Sequence, residues 1–343
     1  MPAWLRGILP VVIAIAVLLV LQILLGDLPF FVYLASIVGV NVILAVSLNI
    51  VNGMTGQFSI GHAGFMAVGA YTAGKLSLLI KDVAISGLPG VVSDQVQFVG
   101  TLLAGGLAAA VCGFIVGLPS LRLRGDYLAI VTLGFGEIIR VVVQNLDTFG
   151  RALGLSGIPQ TSSLFAVWFC VFLVVLVSRR IVGSTHGRSL WAIREDEVAA
   201  EAMGVDTTSY KVRAFVISSF FAGVAGGLFA HFVPIINPGS FTFVKSIEVV
   251  VMVVLGGLGS TTGAIVAAIV LTLLPEALRS LFIQLGGLGA GASLAQKVDQ
   301  IRMPIYGMLL VILMLVRPQG LFGTREVWDL LPRWVPRPRK GIT

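Results

Sequence analysis

Repeated apolar runs, each long enough to cross a lipid bilayer, constrain this chain more than any other feature of its sequence. The bilayer core is about 30 Å thick, so a helix needs about 20 apolar residues to cross it. Hydrophobic residues make up 57% of the chain and charged residues only 11%, whereas soluble domains are about 25% charged. The sequence therefore predicts an all-α, polytopic integral membrane protein that lies in the lipid bilayer. The predicted spans are Ile8–Leu25, Phe30–Val51, Phe58–Ile80, Val96–Leu118, Tyr127–Val143, Leu164–Ser178, Ala214–Val233, one or two helices beginning near Ile247, and Ile301–Val316.

The run from Ile247 to Leu274 is longer than one span requires, and the sequence GGLGS at 256–260 interrupts it. One long tilted helix and two helices that meet at a glycine-rich turn both fit this pattern. The basic segments 179–213 and 317–343 are predicted to be a cytoplasmic loop and a cytoplasmic tail, because Lys and Arg concentrate in cytoplasmic segments. An even number of crossings must separate them, so we favour two helices. The total is then about ten transmembrane helices, with both termini cytoplasmic.

A short internal repeat accompanies this count. The sequences NGMTG at 52–56 and GGLGS at 256–260 each follow a span of the same predicted direction. Same-direction repeats are typical of two halves related about the membrane normal. We therefore predict a single transmembrane domain, residues 1–343, built from two pseudo-repeated halves. A chance match among the 41 glycines is the alternative.

The polar segment 179–213 carries a short helix signal of its own. Acidic residues at 195–197 suit a helix N-terminus, alanines follow, and Gly204 can end the helix. A helix over 196–203 has about two turns and is too short to be stable alone in water. Its small apolar side suits a groove on another protein, which leads to the hypothesis that the segment docks a partner outside the membrane. A surface helix that merely connects two spans is the alternative.

Two groups of polar residues within the spans are candidates for a translocation path. Gln57, Ser59 and His62 lie among glycines, where irregular backbone at membrane depth must be satisfied by protein or water. This segment lines a polar cavity or, alternatively, forms a tight turn with helix-packing glycines. Glu137 and Arg140 lie at i, i+3 on one helix face and can neutralise each other. They form a gating contact or, alternatively, a structural ion pair near the outer interface.

Several functional classes have no motif in this sequence. No G-x-x-x-x-G-K-[ST] segment is present, so any ATP must be bound by another chain. The three histidines lack metal-ligand spacing, and no nucleophile motif of the G-x-S-x-G type occurs. The net charge of +7 is explained by basic cytoplasmic loops, not by nucleic-acid binding. We therefore predict no catalytic residues, no cofactor or metal, and no nucleic-acid partner.

Five segments resemble the branched-chain amino acid ABC permeases, in the order found in that family. LNIVNGMTGQFSIGHAGFMAVGAY, from Leu48 to Tyr71, resembles the family hallmark. RGDYLAIVTLGFGEIIR, from Arg124 to Arg140, resembles the LivM-type subunit. The other similar segments are Gly187–Val205, Ile236–Ala268 and Leu309–Gly323.

This resemblance implies an ABC importer permease fold in the cell inner membrane. It implies a second permease chain, two cytoplasmic ATPase subunits that bind ATP, and a periplasmic binding protein as partners. The implied cargo is a branched-chain or other hydrophobic amino acid; a urea or short-chain amide permease and a stand-alone secondary transporter are the alternatives.

The resemblance also implies that 195–204 is the coupling segment, the counterpart of the EAA loop of ABC importers. The spacing in Glu201-Ala202-Met203-Gly204 departs from the usual pattern of E-A-A, three residues and G. The implied coupling residues are Arg194, Glu195, Asp196, Glu197, Ala200, Glu201, Ala202 and Gly204.

Overall fold

The described part of the chain is a bundle of α-helices with one very short β-pairing. The computed structural model describes residues 29–81, 90–121 and 127–285, with isolated positions between 304 and 323. The predicted span Ile8–Leu25, nearly all of Ile301–Val316 and most of the tail 317–343 lie outside the described residues. The helices are α1 (Pro29–Asn52), α2 (His62–Ile80), α3 (Gly90–Ser120), α4 (Tyr127–Asn145), α5 (Leu164–Val182), α6 (Thr185–Glu195), α7 (Glu197–Ala202), α8 (Thr207–Ala230), α9 (Phe243–Gly256) and α10 (Thr261–Leu285).

Seven helices among the described residues are long and apolar enough to cross a membrane: α1 to α5, α8 and α10. The predicted break at Gly256–Ser260 is confirmed, because α9 ends at Gly256 and α10 begins at Thr261. Gly257 and Gly259 take the positive φ angles of 108° and 88° that the turn requires. The Ser260 hydroxyl accepts a hydrogen bond from the Gly263 amide at 3.0 Å and so caps α10.

The helix α9 begins at Phe243, before the predicted start near Ile247, but it is too short for the full span that the predicted count assigned to it. It has 14 residues, or about 21 Å at the α-helical rise, which is less than the thickness of the bilayer core. The chain from 231 to 242 is non-α-helical, so no α-helical residues extend α9 on this side. The full count of ten and the relation between two halves remain predictions.

Glycines bring the central helices of the bundle into close contact. The helix α8 packs against α1, α2 and α3, and a Cβ atom at Gly69 would overlap the backbone of Gly223. A Cβ atom at Gly226 would likewise overlap the carbonyl of Met66. Lipid provides no hydrophobic force between helices, so close approach of small residues stabilises their association.

Two glycine-rich loops, 53–61 and 257–260, meet at one end of the bundle. The amide of Gly259 donates to the Asn49 side chain at 2.9 Å. A Cβ atom at Gly53 would overlap the Gly259 amide. Both loops therefore lie at the same end of the bundle, beside α6.

The other end of the bundle carries the only strands among the described residues. Leu155–Ser156 pairs with Ile235–Ile236 in antiparallel orientation, and the Tyr71 hydroxyl donates to the Ile236 carbonyl at 3.1 Å. The all-α prediction holds for the spans but not for these connections. Because Leu155 and Ile236 are buried, their backbone groups need partners, and the pairing supplies them.

Candidate functional site

A capped pair of short helices, α6 and α7, follows the last turn of α5. Ser184 caps α6 by accepting from the Gly187 amide at 3.2 Å. Asp196 caps α7 by accepting from the amides of Val198 and Ala199 at 2.9 and 3.0 Å. Gly204 has a φ of 85° and ends α7. The predicted helix over 196–203 is therefore confirmed, with its start and stop signals, whereas α6 was not predicted.

The α7 helix is held to the first turn of α8 through its polar side. Glu197 forms an ion pair with the buried Lys211 at 2.6 Å, and Glu201 accepts from the Thr207 hydroxyl at 2.7 Å. Ala200 is buried against the bundle. These contacts fix the rotation of α7 about its axis.

The apolar side of α7 is exposed in the part of the chain that the structure describes. Val198 is 62% exposed and Met203 is 85% exposed, and Ala199 and Ala202 are also exposed. We call these four residues the exposed α7 face. Two turns of helix are marginal without packing on both sides, so this face is suited to contact with another protein.

Arg194 points away from the exposed α7 face and into the bundle. Its Nη1 donates to the Gly53 carbonyl at 2.6 Å and to the Leu258 carbonyl at 3.4 Å. Its guanidinium lies 4.9 Å from the centroid of the Trp191 ring. Arg194 therefore joins α6 to both glycine-rich loops at once.

The loop candidates Ser59 and His62 bond within the bundle. Asn52 of α1 exchanges hydrogen bonds with the Ser59 backbone at 3.1 and 3.3 Å. The His62 Nε2 lies 2.9 Å from the Ser47 hydroxyl. Among the described residues, the buried Oε1 atom of Gln57 has no hydrogen-bond partner. The irregular backbone in 53–61 is thus satisfied largely by protein groups.

The predicted pair of Glu137 and Arg140 forms an ion pair of 2.7 Å. The second carboxylate oxygen of Glu137 accepts from the Phe243 amide at 3.3 Å. Phe243 is the first residue of α9, so a negative charge lies at the positive end of that helix. Gly64 and Gly136 are in close contact, so both groups of path candidates lie along the α2–α4 contact, although their side chains bond separately.

A cavity of about 380 Å³ between α1, α9 and α10 contains charged residues that the sequence analysis did not select. Lys245 donates to the Asn41 side chain at 2.9 Å and to Glu248 at 3.2 Å. Asn41 in turn donates to the Thr272 hydroxyl at 2.9 Å. Two further charged residues of the wall, Glu276 and Arg279, form an ion pair of 3.4 Å. We call this space the mid-depth cavity.

Helical spacing explains how α9 and α10 each present several polar residues to the mid-depth cavity. Lys245 and Glu248 lie at i, i+3 on α9, and Thr272, Glu276 and Arg279 lie at i, i+4, i+7 on α10. The spacing of Lys245 and Glu248 is the same as that of the Glu137–Arg140 ion pair on α4. This spacing could have identified the pair from the sequence.

The name of this cavity refers to its depth along the helices. Asn41, Lys245 and Thr272 each lie eleven residues from the end of their helix at the loop side, and from this depth the cavity extends toward the opposite end at Glu276 and Arg279. Eleven residues correspond to about 16 Å, which is close to half of a bilayer core.

Membrane-length helices around a charged internal cavity, with a helix pair projecting at one end, define a multi-pass membrane transport protein. Comparison with known families identifies the kind of transporter. A model described as the branched-chain amino acid transport system / permease component matches residues 30–316, and the chain belongs to this family.

Similar proteins confirm the resemblance to LivM-type permeases. The high-affinity branched-chain amino acid transport system permease protein LivM of Escherichia coli is 35% identical, covering 84% of this chain and 69% of that protein. The probable branched-chain amino acid transport permease protein LivM of Methanocaldococcus jannaschii is 26% identical, covering 84% and 92%. LivH of Escherichia coli is 29% identical over 49% of each chain. No solved structure gives a significant match.

Proposed function

We propose that this chain is a permease subunit of an ATP-driven importer of branched-chain amino acids in the cell inner membrane. The exposed α7 face, held in place by contacts on its other side, is the observation that carries this proposal. The family membership supports the cargo class. The relatives reported above are all named for branched-chain amino acids, which favours this cargo over urea.

The proposed importer contains four kinds of chain. Similarity to both LivM and LivH of one organism supports a second, related permease chain as partner. Two cytoplasmic ATPase subunits bind the ATP, since this sequence has no nucleotide motif. A periplasmic binding protein delivers the amino acid at the opposite end of the bundle.

Movement of the ATPase subunits reaches the membrane through α6 and α7. Glu197 and Glu201 join α7 to the first turn of α8. Arg194 joins α6 to the loop after α1 and to the loop between α9 and α10. A displacement of the helix pair therefore acts on α1, α8, α9 and α10 together, as packed elements with two discrete arrangements do.

The proposed translocation path includes the five polar candidates on the α2–α4 contact. Gln57, Ser59 and His62 lie toward the loop end, and Glu137 and Arg140 lie farther along α4. If alanine variants of these residues take up the amino acid as the wild type does, the residues do not belong to the path.

Substitution on the exposed α7 face tests the docking role directly. Met203→Asp should abolish co-elution of the ATPase subunits in mild detergent, because it places a charge in an apolar contact. ATP-driven leucine uptake in proteoliposomes should fall about tenfold or more, as expected for a central interface residue. The matched control is Leu153→Asp, which changes an equally exposed leucine at the opposite end and should leave co-elution intact.

Two results would contradict the proposal. One is normal co-elution and uptake in Met203→Asp. The other is leucine uptake by the purified chain driven by an ion gradient without any ATPase, which would identify a stand-alone secondary transporter.

A further inference from the structure

We propose that the mid-depth cavity is a transient binding site for the zwitterionic backbone of the transported amino acid. In this assignment Lys245 contacts the α-carboxylate, and the carboxylates of Glu248 and Glu276 receive the α-ammonium group. The inference rests on the proposed function and names where the cargo is held within this chain.

Lys245 has a hydrogen-bond donor with which it can bind an anion. Its ammonium group has three N–H donors, and its described bonds to Asn41 and Glu248 use two of them. The Asn41 amide is oriented by its bond to Thr272, so its oxygen holds the Lys245 ammonium in place. The Lys245 side chain is 21% exposed and that of Glu248 only 5%. The Lys245 ammonium group is therefore accessible from the cavity, whereas the Glu248 carboxylate that it contacts is buried.

The charges around the cavity match a ligand that carries both signs. Among the described residues of the wall, Lys245 and Arg279 are balanced by Glu248 and Glu276. Ionisable residues at membrane depth are costly and usually mark a substrate pathway. A zwitterion adds no net charge to this balanced set, whereas a single anion or cation would leave one charge without compensation in a medium of low dielectric constant.

The apolar part of the wall matches an aliphatic side chain. Leu34, Ile37, Met66, Met252 and Leu271 line the cavity beside the charged residues. Its volume of about 380 Å³ lies in the range of roughly 300–1,000 Å³ that is typical of small-molecule sites. A branched-chain amino acid therefore has contacts for both of its ends.

The depth and connections of the cavity fit a site within a transport cycle. Sites near the bilayer midplane, formed partly by discontinuous helices, are typical of membrane transporters, and α9 is such a short helix. The helices α1, α9 and α10 all adjoin the two loops that Arg194 contacts. Movement of α6 therefore changes the relative positions of the walls and weakens the hold on the ligand.

Uptake and ATP hydrolysis by Lys245 variants test the assignment. The complete importer in proteoliposomes, supplied with its binding protein, should lose about tenfold or more of its radiolabelled leucine uptake in Lys245→Met, since a charge-assisted contact is lost. ATP hydrolysis stimulated by the binding protein should stay within about twofold of wild type, because docking and the cycle are intact. Lys245→Arg keeps the charge and should retain more uptake than Lys245→Met.

The matched control is Lys75→Met, which removes another lysine from a span, on α2 and outside the cavity wall. It should transport leucine as the wild type does. Equal uptake by Lys245→Met and Lys75→Met would overturn the assignment.

Photolabelling locates the ligand without relying on rates. A diazirine analogue of leucine, irradiated with the complete importer, should label peptides that contain 33–41 or 245–252. Excess leucine should suppress this labelling, whereas 4-methylpentanoate and 3-methylbutylamine, which each lack one of the two charges, should not. Labelling should be lost in Lys245→Met.

The outcomes separate the two proposals. Wild-type uptake of leucine with labelling confined to other segments would overturn the cavity assignment alone. Failure of the wild-type importer to take up leucine with ATP would overturn the proposed function, and the cavity assignment with it.

Discussion

At the scale of single residues, Arg194 connects parts of the chain that are far apart in sequence. One guanidinium contacts the carbonyls of Gly53 and Leu258. A Cβ atom at Gly259 would lie 2.8 Å from its Nη1, so the absence of a side chain at Gly259 is part of this contact. The family resemblance implied a role for Arg194 in coupling to the ATPase, and we propose that it acts on the membrane side of that coupling, where its contacts lie.

Replacing Arg194 should separate ATP hydrolysis from transport. Arg194→Ala leaves two carbonyl groups without their donor, at a cost of about 1–3 kcal/mol each if they stay buried. Arg194→Lys restores a charge but cannot reproduce the planar, multi-donor geometry. We expect the number of leucine molecules transported per ATP to fall several-fold in Arg194→Ala and less in Arg194→Lys, measured in proteoliposomes.

The control for this prediction is Arg188→Ala, which changes an exposed arginine on the same helix. Its transport ratio should equal that of the wild type. A wild-type ratio in Arg194→Ala would show that the contact with the loops has no part in coupling.

At the scale of elements, backbone contact at glycines determines how α2 and α8 cross. Gly226 lies against Met66, and Gly69 lies against Gly223. Neither site has room for a Cβ atom unless the helices separate. The helices α3 and α2 are also in close backbone contact, because a Cβ atom at Gly105 would lie 2.7 Å from the Gly69 carbonyl.

Gly226→Ala should destabilise the helix bundle. Forcing a methyl group into this contact costs about 1–3 kcal/mol, so the thermal unfolding temperature of the purified chain in detergent should fall. Gly134→Ala is the matched control, since no atom lies within 4 Å of a Cβ placed there and Ala favours helix over Gly. Equal unfolding temperatures for the two variants would contradict the role of Gly226 in packing.

At the scale of the whole molecule, the two ends of the bundle differ in structure and charge. The helices α6 and α7 and both glycine-rich loops form one end, and the strand pairing forms the other. Arg179 and Arg180 occupy the last turn of α5 at the first of these ends. From the preference of basic residues for the cytoplasm, we predict that this end faces inward.

Labelling of single cysteines should establish this orientation. In a background with Cys112→Ala and Cys170→Ala, a membrane-impermeant maleimide should label Leu153→Cys on intact cells. Glu201→Cys should react only after permeabilisation, because it lies at the opposite end. Both native positions are exposed, so access to the side chain does not limit the reaction. The reverse pattern would place the exposed α7 face outside the cell and exclude its docking to an ATPase.

The sequence by itself determined the features that depend on neighbouring residues. The lengths of the apolar runs predicted seven of the described spans, and the glycines at 256–259 predicted the break between α9 and α10. Asp196 and Gly204 marked the start and end of α7. Spacing along a helix also placed Glu137 beside Arg140. Caps, turns and i, i+3 contacts are local, so a pattern in the sequence is sufficient to predict them.

Only the tertiary structure decided which distant residues meet. The mid-depth cavity joins Asn41, Lys245 and Thr272, and Arg194 reaches loops that precede and follow it in the chain. The α6 helix and the pairing of Leu155 with Ile236 were likewise not predicted. Every span is apolar on most of its sides, so the sequence alone does not indicate which helices are neighbours. Their arrangement follows from close backbone packing and from the pairing of buried polar groups across the bundle.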